Sequence, residues 1–278
     1  MDLASFRRQF WQNAFDAERP VASLARWPVW LMHIALRRRA VARFRTGGLS
    51  MELAPRLTGF GSTSIYIKRD RYEPELLAVG RLIEPGCMVL DIGASFGIFS
   101  LFMAHFAGRG GKVHAFEPGA YSFAELQANV ARNNAANIVL HRMAASDRPA
   151  MLKLAPVGGA PVTFSIGDAP DAETVPAGRV DEAVPPEDAT RVRFVKIDVE
   201  GYEIAALEGA RAILERNRPT VMFEVCEESL ARQGHRPADI YGFLAAFGYR
   251  FWILEGGRFV PIDDHREGNI FAAMDISA

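Results

Sequence analysis

The sequence is poor in cysteine and contains no long uninterrupted apolar run. Its 278 residues include two cysteines, Cys87 and Cys226, too few for a disulfide framework or a cysteine-based metal cluster. No window offers the roughly 18 consecutive apolar residues that a membrane-spanning helix requires. The charged stretch 1–15 does not have the pattern of a signal peptide. These absences favour a cytoplasmic protein, with at most a peripheral location on the inner face of the membrane.

The chain also lacks an excess of charge of either sign, but its charges are unevenly distributed. The formal net charge is −1, yet residues 1–45 contain nine arginines and three acidic residues. The remainder therefore carries a charge of about −7. Bulk charge argues against nucleic acid as a partner of the main body.

Residues 1–50 are predicted to form a basic helical N-terminal extension, followed by a main domain at residues 51–278. Apolar and aromatic side chains mix with arginines through residues 5–17 and again through 30–44, and Pro28 interrupts the pattern. Through residues 1–45 such a segment could lie on an anionic membrane surface. The alternative, which the sequence favours, is a helical extension packed on the main domain, with its arginines in solvent or paired with acidic neighbours.

The centre of the sequence is the stretch VLDIGASFGIFS, residues 89–100, which predicts a strand, a tight turn and a helix. The turn contains Gly93, Ala94 and Gly97 and therefore has few side chains. Free N–H groups at the start of a helix, beside such a turn, suit a nucleotide-like ligand.

Strands and helices alternate regularly from residue 88 to residue 142 and resume at residue 193. This alternation predicts an α/β fold with a doubly wound, mostly parallel sheet. Two closing strands at 249–254 and 269–274 have no helix between them, so they are expected to be antiparallel. A Gly256-Gly257 turn is predicted to link them.

Two segments do not follow the alternation. Residues 51–68 are predicted to form two short strands, MELAPRL and STSIYIK. Residues 147–190 are rich in glycine, proline and alanine, with short strands expected near 150–154 and 163–166. A stretch of this length is predicted to be an active-site flap or a mobile linker.

Glu117, in AFEPG at the end of the second strand of the alternation, is placed to accept hydrogen bonds from both ribose hydroxyls of an adenosine ligand. A dinucleotide fingerprint requires a second glycine where this chain has Ser95. Asp91, beside the turn, would repel a pyrophosphate and suits a cationic ligand. The residues therefore favour S-adenosylmethionine over NAD, and an NAD- or NADP-dependent oxidoreductase is the alternative enzyme.

Four segments in this order, DIGASFG, AFEP, AASD and KIDVEGYE, resemble the FkbM family of S-adenosylmethionine-dependent methyltransferases. The resemblance covers roughly residues 73–224 and is looser to about residue 274. It implies a class I methyltransferase fold, a seven-stranded Rossmann-like sheet with the last strand antiparallel. It also implies O-methylation, often of sugars in glycolipids, polysaccharides or natural products. Residues 1–50 lie outside the resemblance.

The resemblance also implies roles for individual residues in binding the cofactor. Asp91 and the turn residues Gly93, Ala94 and Gly97 would hold its methionine part, with the acid Glu73 near the amino-acid end. Further along the chain, Glu117 would bind the ribose, and Ser146 and Asp147 would lie beside the adenine. Ser95-Phe96 departs from the family's more usual Asn-Ile, which affects the side-chain contacts of the turn.

Carboxylates cluster where the strands at 193–199 and 220–225 end. Asp198 and Glu200 alternate along one strand and so converge at the edge where open α/β sheets bind ligands. Glu203 and Glu224 lie nearby, although helix capping would explain one of the four. We expect Asp198 and Glu200 to position an acceptor hydroxyl and remove its proton, with His235 as a further candidate base.

The sequence predicts no metal site, because no histidine stands at ligand spacing, although two of the carboxylates could share a divalent cation. It predicts an O-methyltransferase acting on a small-molecule or glycan acceptor. A non-catalytic, membrane-associated S-adenosylmethionine-binding protein is the alternative outside enzymes. Neither the acceptor nor the oligomeric state is predicted.

Overall fold

A computed structural model describes residues 19–55, 61–156, 164–167, 170 and 172–276. Predictions for residues 1–18 lie outside the described residues. Within the described part, the α-helices are α1 (Pro20–Ala35), α2 (Gly61–Lys68), α3 (Glu75–Ala78), α4 (Ile98–Ala107), α5 (Ala120–Arg132), α6 (Val180–Ala183), α7 (Pro186–Ala189), α8 (Glu203–Gly209), α9 (Arg211–Asn217), α10 (Glu227–Arg232) and α11 (Pro237–Ala245).

The strands fall into three sheets. They are β1 (Ala40–Arg43), β2 (Ser50–Leu53), β3 (Met88–Ile92), β4 (Lys112–Phe116), β5 (Ile138–His141), β6 (Ala144–Ala145), β7 (Ala150–Pro156), β8 (Phe164–Ile166), β9 (Glu173–Gly178), β10 (Val192–Ile197), β11 (Thr220–Val225), β12 (Arg250–Glu255), β13 (Arg258–Ile262) and β14 (Gly268–Ala273).

The main sheet has eight strands in the order β13-β12-β14-β11-β10-β3-β4-β5. Strands β11, β10, β3, β4 and β5 are parallel, whereas β14 runs antiparallel to β11, and β12 and β13 continue the antiparallel part. The predicted α/β class and the mostly parallel, doubly wound sheet are confirmed. The seven predicted strands are present, with β14 as the last and antiparallel one, and β13 is an additional strand at the edge.

Strand β13 is not among the strands predicted from the sequence. The Gly256-Gly257 turn joins β12 to β13, with Glu255 opposite Arg258, instead of joining the two predicted closing strands. Pro261 lowers the strand propensity of the segment, but β13 is an edge strand, where proline costs no ladder hydrogen bond.

Both faces of the central parallel strands β3 and β10 are buried, apart from Arg193, which explains their largely apolar character. On β3, Val89 belongs to a core cluster with the α4 side chains, whereas Leu90 belongs to a second cluster with the α8 and α9 side chains. This packing on both faces holds the parallel strands in place, so their carboxyl ends meet at one edge of the sheet.

The predicted strand STSIYIK is wrong, because this segment forms helix α2. Its side chains from Ser62 to Ile67 are all buried, so no exposed polar face marks a helical period. Tertiary contacts override the β-branched residues, since Trp30 stacks on Tyr66 and its indole Nε1 donates to Thr63 Oγ1 over 3.1 Å.

The predicted helix over residues 30–44 is correct only to Ala35. Arg37 adopts a left-handed backbone conformation, and β1 follows, pairing antiparallel with β2. Pro28, expected to interrupt, lies inside α1. The division of the chain at residue 50 remains a prediction. Across it, Trp30 and Met51 belong to one core cluster.

The described residues between 147 and 190 contain more strand than predicted, and the predicted strand at 163–166 lies outside the described residues at position 163. Strands β7 and β8 lie close to the expected positions, and β9 completes a four-stranded sheet in the order β6-β9-β7-β8. This small sheet lies beside the functional site, since Leu154 of β7 and Ile166 of β8 line its cavity. In the described part of the chain, no helix is both long enough and apolar enough to cross a membrane.

Candidate cofactor and active site

A cavity of about 320 Å³ opens where β3, β4 and β10 end. Ile92, Phe116 and Asp198, at or just after the ends of these strands, all line it. Helix α2 contributes Gly61 and Ile65 to another wall. This is the edge at which open α/β sheets bind ligands.

The turn after β3 is held by the backbone of its neighbours. The N–H groups of Gly93 and Ala94 both donate to the Phe116 carbonyl over 2.9 Å. A Cβ on Gly93 would stand 1.7 Å from the Asp198 carbonyl oxygen, so only glycine fits this position. Gly97 caps α4 with φ of 88°, and Ser95 adopts φ of 48°, unusual for a residue with a side chain. The turn is therefore tightly fixed and presses against the end of β10.

Glu117 lines the cavity directly beside this turn and is 7% exposed. Its two carboxylate oxygens accept the N–H groups of Ser95 and Gly119, each over 2.9 Å. Burial raises the pKa of Glu117 to about 7, although these two hydrogen bonds oppose the rise. Each oxygen keeps a second lone pair for a ligand hydroxyl.

Asp91 is fully buried and does not line the cavity. One carboxylate oxygen accepts the hydroxyl of Ser100, and the other has no hydrogen-bond partner among the described residues. Burial raises the pKa of Asp91, against the attraction of Lys196, whose Nζ lies 4.0 Å away.

Lys196 is the residue that the sequence reasoning left without a role, although it opens the KIDVEGYE segment. It is 4% exposed, and its Nζ lies 3.0 Å from Asp198 and 5.0 Å from the ring centre of Phe99. Burial alone would lower the pKa of Lys196, but attraction to Asp198 and Asp91 outweighs it and raises that pKa. A lone lysine within an apolar strand, ahead of an acid, is the signal that could have identified it.

Asp198 and Glu200 both line the cavity, together with Glu73 from the segment before α3. Burial raises the pKa values of Glu73 and Glu200 to about 7, and the nearby Asp198 carboxylate adds to both shifts. Glu200 has φ of 52°, a second strained backbone position at this site. The predicted convergence of Asp198 and Glu200 at the sheet edge is what the structure contains.

The two other carboxylates of the predicted cluster behave differently. Glu203 is buried and accepts the N–H groups of Gly201 over 3.0 Å and Val199 over 3.3 Å, so it caps the turn before α8. Glu224 lies on β11, and the negative charge of Asp198, followed by burial, raises its pKa to about 9. Neither lines the cavity.

Besides Asp91 and Gly97, three predicted site residues are absent from the cavity lining, namely Ser146, Asp147 and His235. Ser146 is buried and donates to Asp147 over 3.2 Å, directly after the lining residues 143–145. His235 follows α10 and lies 3.9 Å from the carboxylate of Asp239. Helix α10 lies between His235 and the end of β11 in the sequence. The assigned roles of all three remain predictions.

Comparisons with known proteins show which protein family the sequence resembles. The methyltransferase FkbM domain, as a protein family, matches residues 91–251. A 57-residue stretch is 47% identical to 31-O-demethyl-FK506 methyltransferase FkbM of Streptomyces tacrolimicus, covering 20% of this chain and 22% of that protein. The chain thus matches less than a quarter of that relative's length.

Solved structures show weaker likenesses. A methyltransferase FkbM from Methylobacillus flagellatus is 17% identical, with a TM-score of 0.47, over 78% of this chain and 56% of that one. A putative methyltransferase from Streptococcus mutans, in complex with SAH, is 10% identical, with a TM-score of 0.43, over 72% and 94% of the two chains.

Proposed function

Because the chain belongs to the FkbM methyltransferase family, we propose that it methylates a hydroxyl oxygen on a sugar, a glycolipid or a natural product. S-adenosylmethionine is the methyl donor. The observation that carries the proposal is the position of Asp198. Its backbone carbonyl packs against Gly93 of the cofactor turn, and its carboxylate lines the cavity beside Glu200. An oxygen nucleophile needs such a base next to the methyl donor.

The charges of the cavity fit a cationic cofactor. Four acids line it, Glu73, Glu117, Asp198 and Glu200, against the single base Lys196. S-adenosylmethionine has a sulfonium and an ammonium group and no phosphate, so this surplus of carboxylates attracts it. The pyrophosphate of NAD or NADP would be repelled, which argues against the oxidoreductase alternative.

When bound, S-adenosylmethionine supplies an electrophilic methyl group to the acceptor oxygen. Glu117 is placed to accept the ribose hydroxyls, and the fixed turn at Gly93 and Ala94 leaves room for a ligand against the backbone. Asp198 and Glu200 orient the acceptor hydroxyl and take its proton. The pKa of about 7 at Glu200 suits a base near neutral pH, where it is partly ionised.

Lys196 acts through Asp198. Because its ammonium group lies 3.0 Å from one Asp198 oxygen, it fixes the orientation of that carboxylate and leaves the other oxygen for the acceptor. Alignment of the acceptor contributes more to the rate than proton removal, which is worth about 10²–10⁴. The name of the Streptomyces relative, a 31-O-demethyl-FK506 methyltransferase, also favours oxygen as the methylated atom.

The test separates cofactor binding from turnover. A panel of sugars, glycolipids and polyketides is incubated with methyl-labelled donor, and the methylated position of any product is read by NMR. On the acceptor found, Asp198→Asn and Glu200→Gln should lose about 10²-fold or more in kcat while binding the donor nearly as well as the wild type. His235→Ala is the matched control and should lose less.

Three results would contradict the proposal. Methylation of nitrogen or sulfur would refute the assignment of a hydroxyl acceptor. Full turnover in both acid variants would remove them as bases. Tight donor binding with no turnover on any hydroxyl-bearing acceptor would favour the non-catalytic binding protein.

A further inference from the structure

The outer face of helix α1 is apolar, the reverse of what a water-facing helix normally presents. Six of its large apolar side chains, counting the residue that follows its last turn, are between 41% and 78% exposed: Val21, Leu24, Val29, Leu31, Met32 and Leu36. The other exposed residues between 20 and 36 are alanines and prolines. No exposed position in this range is polar.

These side chains form one continuous stripe. At 100° per residue, the exposed positions from 21 to 36 cover about 160° of the helix circumference. Arg26 and His33, the charged or titratable residues between 20 and 36, lie outside this stripe and are only partly exposed. A surface of this size and uniformity marks an interaction site.

The opposite face of α1 is firmly attached to the protein. Trp30 is fully buried, its ring centre lies 4.6 Å from that of Tyr66, and it donates to Thr63. Arg26 donates to the carbonyl of Ile67. The helix is therefore anchored on α2, and its apolar stripe points away from the core.

Positive charge follows the stripe directly. Residues 19–51 contain seven arginines and no acidic residue. Arg37 and Arg38 are exposed and form no ion pair within the described residues, whereas Arg39 pairs with Glu52 and Glu125. Because Arg38 is two residues beyond Leu36, the Cα atoms of both arginines lie within about 7 Å of the Cα atom that ends the stripe.

We propose that α1 binds the surface of an anionic lipid bilayer. Its apolar stripe enters the boundary between headgroups and acyl chains, and Arg37 and Arg38 contact the lipid phosphates. An amphipathic helix with arginines beside its apolar face binds membranes in this way, lying in the plane of the interface.

Charge selects the bilayer over a second copy of the chain. In a symmetric dimer built on the α1 stripe, parallel helices would bring the two arginine clusters together, and antiparallel helices would bring each cluster to the exposed Arg19 at the start of the other helix, so like charges would meet either way. An anionic lipid surface instead supplies the opposite charge. Docking would also place α2, which contributes Gly61 and Ile65 to the cavity, one helix layer from the bilayer.

The experiment is sedimentation of the full chain with vesicles. One set contains equal parts of phosphatidylglycerol and phosphatidylcholine, and the other contains phosphatidylcholine alone. The apolar variant is Leu24→Gln with Met32→Gln, and its control is Met151→Gln, an exposed methionine on β7. The charge variant is Arg37→Gln with Arg38→Gln, and its control is Arg258→Gln on β13.

The wild type and both control variants should sediment with the anionic vesicles, and less so in high salt. The charge variant should bind them about twentyfold more weakly, since each arginine near an anionic surface contributes about fivefold. The apolar variant should lose binding to both sets of vesicles. Unchanged thermal unfolding and S-adenosylhomocysteine affinity confirm that each variant is folded. If the apolar double variant fails to fold, Val21→Gln replaces it.

Failure of the wild type to sediment would overturn the proposal, as would sedimentation that neither variant changes. A concentration-dependent dimer seen by analytical ultracentrifugation, lost in the apolar variant and accompanied by no vesicle binding, would assign the stripe to a second copy. None of these results bears on methyl transfer, so this proposal can fail separately from the proposed function.

Discussion

Glu117→Gln offers the sharpest test of the cofactor site, because both oxygens of this carboxylate already accept backbone N–H groups. A glutamine side chain has one oxygen and one NH₂ group, so it can satisfy only one of these two donors. The ribose also loses a charged acceptor. A charge-assisted hydrogen bond of this kind is worth about 1.5–3 kcal/mol, which is roughly ten- to 150-fold in affinity.

The pH dependence makes the prediction specific. Because burial raises the pKa of Glu117 to about 7, about 90% of it is ionised at pH 8 and about 10% at pH 6 in the free protein. A ligand hydroxyl that donates to the carboxylate favours the ionised form. Affinity of the wild type should therefore fall about tenfold through this group as the pH falls from 8 to 6.

The free energy of unfolding of the free protein should change with pH in the opposite direction to the affinity, falling as the pH rises. A carboxyl group whose pKa is raised on folding stabilises the fold at low pH, where the group is protonated, and ceases to do so once it is ionised. That contribution is present below the unfolded pKa near 4.3 and is lost as the pH rises through about 7.

The assay is titration calorimetry with S-adenosylhomocysteine at pH 6, 7 and 8, in buffers of different ionisation enthalpy, so that proton release can be counted. The wild type should release more protons at pH 6 than at pH 8, and Glu117→Gln should lose up to one of them. Glu200→Gln is the comparison, because Glu200 has a similar pKa but lies on the acceptor side. Equal affinity and equal proton release in Glu117→Gln and wild type would refute the role of Glu117.

Gly93→Ala should prevent the turn from closing, because the added Cβ meets the carbonyl of Asp198. We expect no folded protein, or a loss of more than 4 kcal/mol in a denaturant titration, whereas Gly242→Ala, with open space around it, should not destabilise. Trp30→Ala should cost about 3–5 kcal/mol in the same titration. Asp188→Asn should cost about 1.5–3 kcal/mol at neutral pH, because Lys112 and the buried His114 lose a charged acceptor and keep only an amide oxygen. The difference should disappear as acid protonates the wild-type carboxylate, whose pKa those partners lower. A chelator should leave methyl transfer unchanged, since the described residues contain no group of three side chains that could hold a metal.

The central part of the fold was predictable because its signals are local. The strand before Gly93 is buried at every position and the next strand at all but its first, so both appear as largely apolar runs, and small residues mark the turn between strand and helix. These features depend on residues close together in the sequence. Asp198 and Glu200 both line the cavity, but not through alternation along a strand, because β10 ends at Ile197 and Glu200 has a left-handed backbone conformation.

The errors occurred where distant residues decide the structure. Helix α2 contains apolar and β-branched residues, which are typical of a strand. Only its contacts with Trp30 and with its other buried neighbours make it helical. A role can be assigned to Lys196 only when its ammonium group is known to lie close to both Asp91 and Asp198.

The same distinction explains why the sequence predicts the cofactor but not the acceptor. The cofactor wall is built by a strained and closely packed backbone, with positive φ at Ser95 and Glu200 and with Gly93 against the Asp198 carbonyl. Each such non-glycine residue costs about 1–3 kcal/mol, which the buried strands on either side offset. The remaining walls come from helix α2 and from strands β7 and β8, whose structure depends on long-range contacts. We therefore expect acceptor selectivity to depend on these walls, and exchanging Ile65 or Leu154 should alter the KM for the acceptor more than the affinity for the donor.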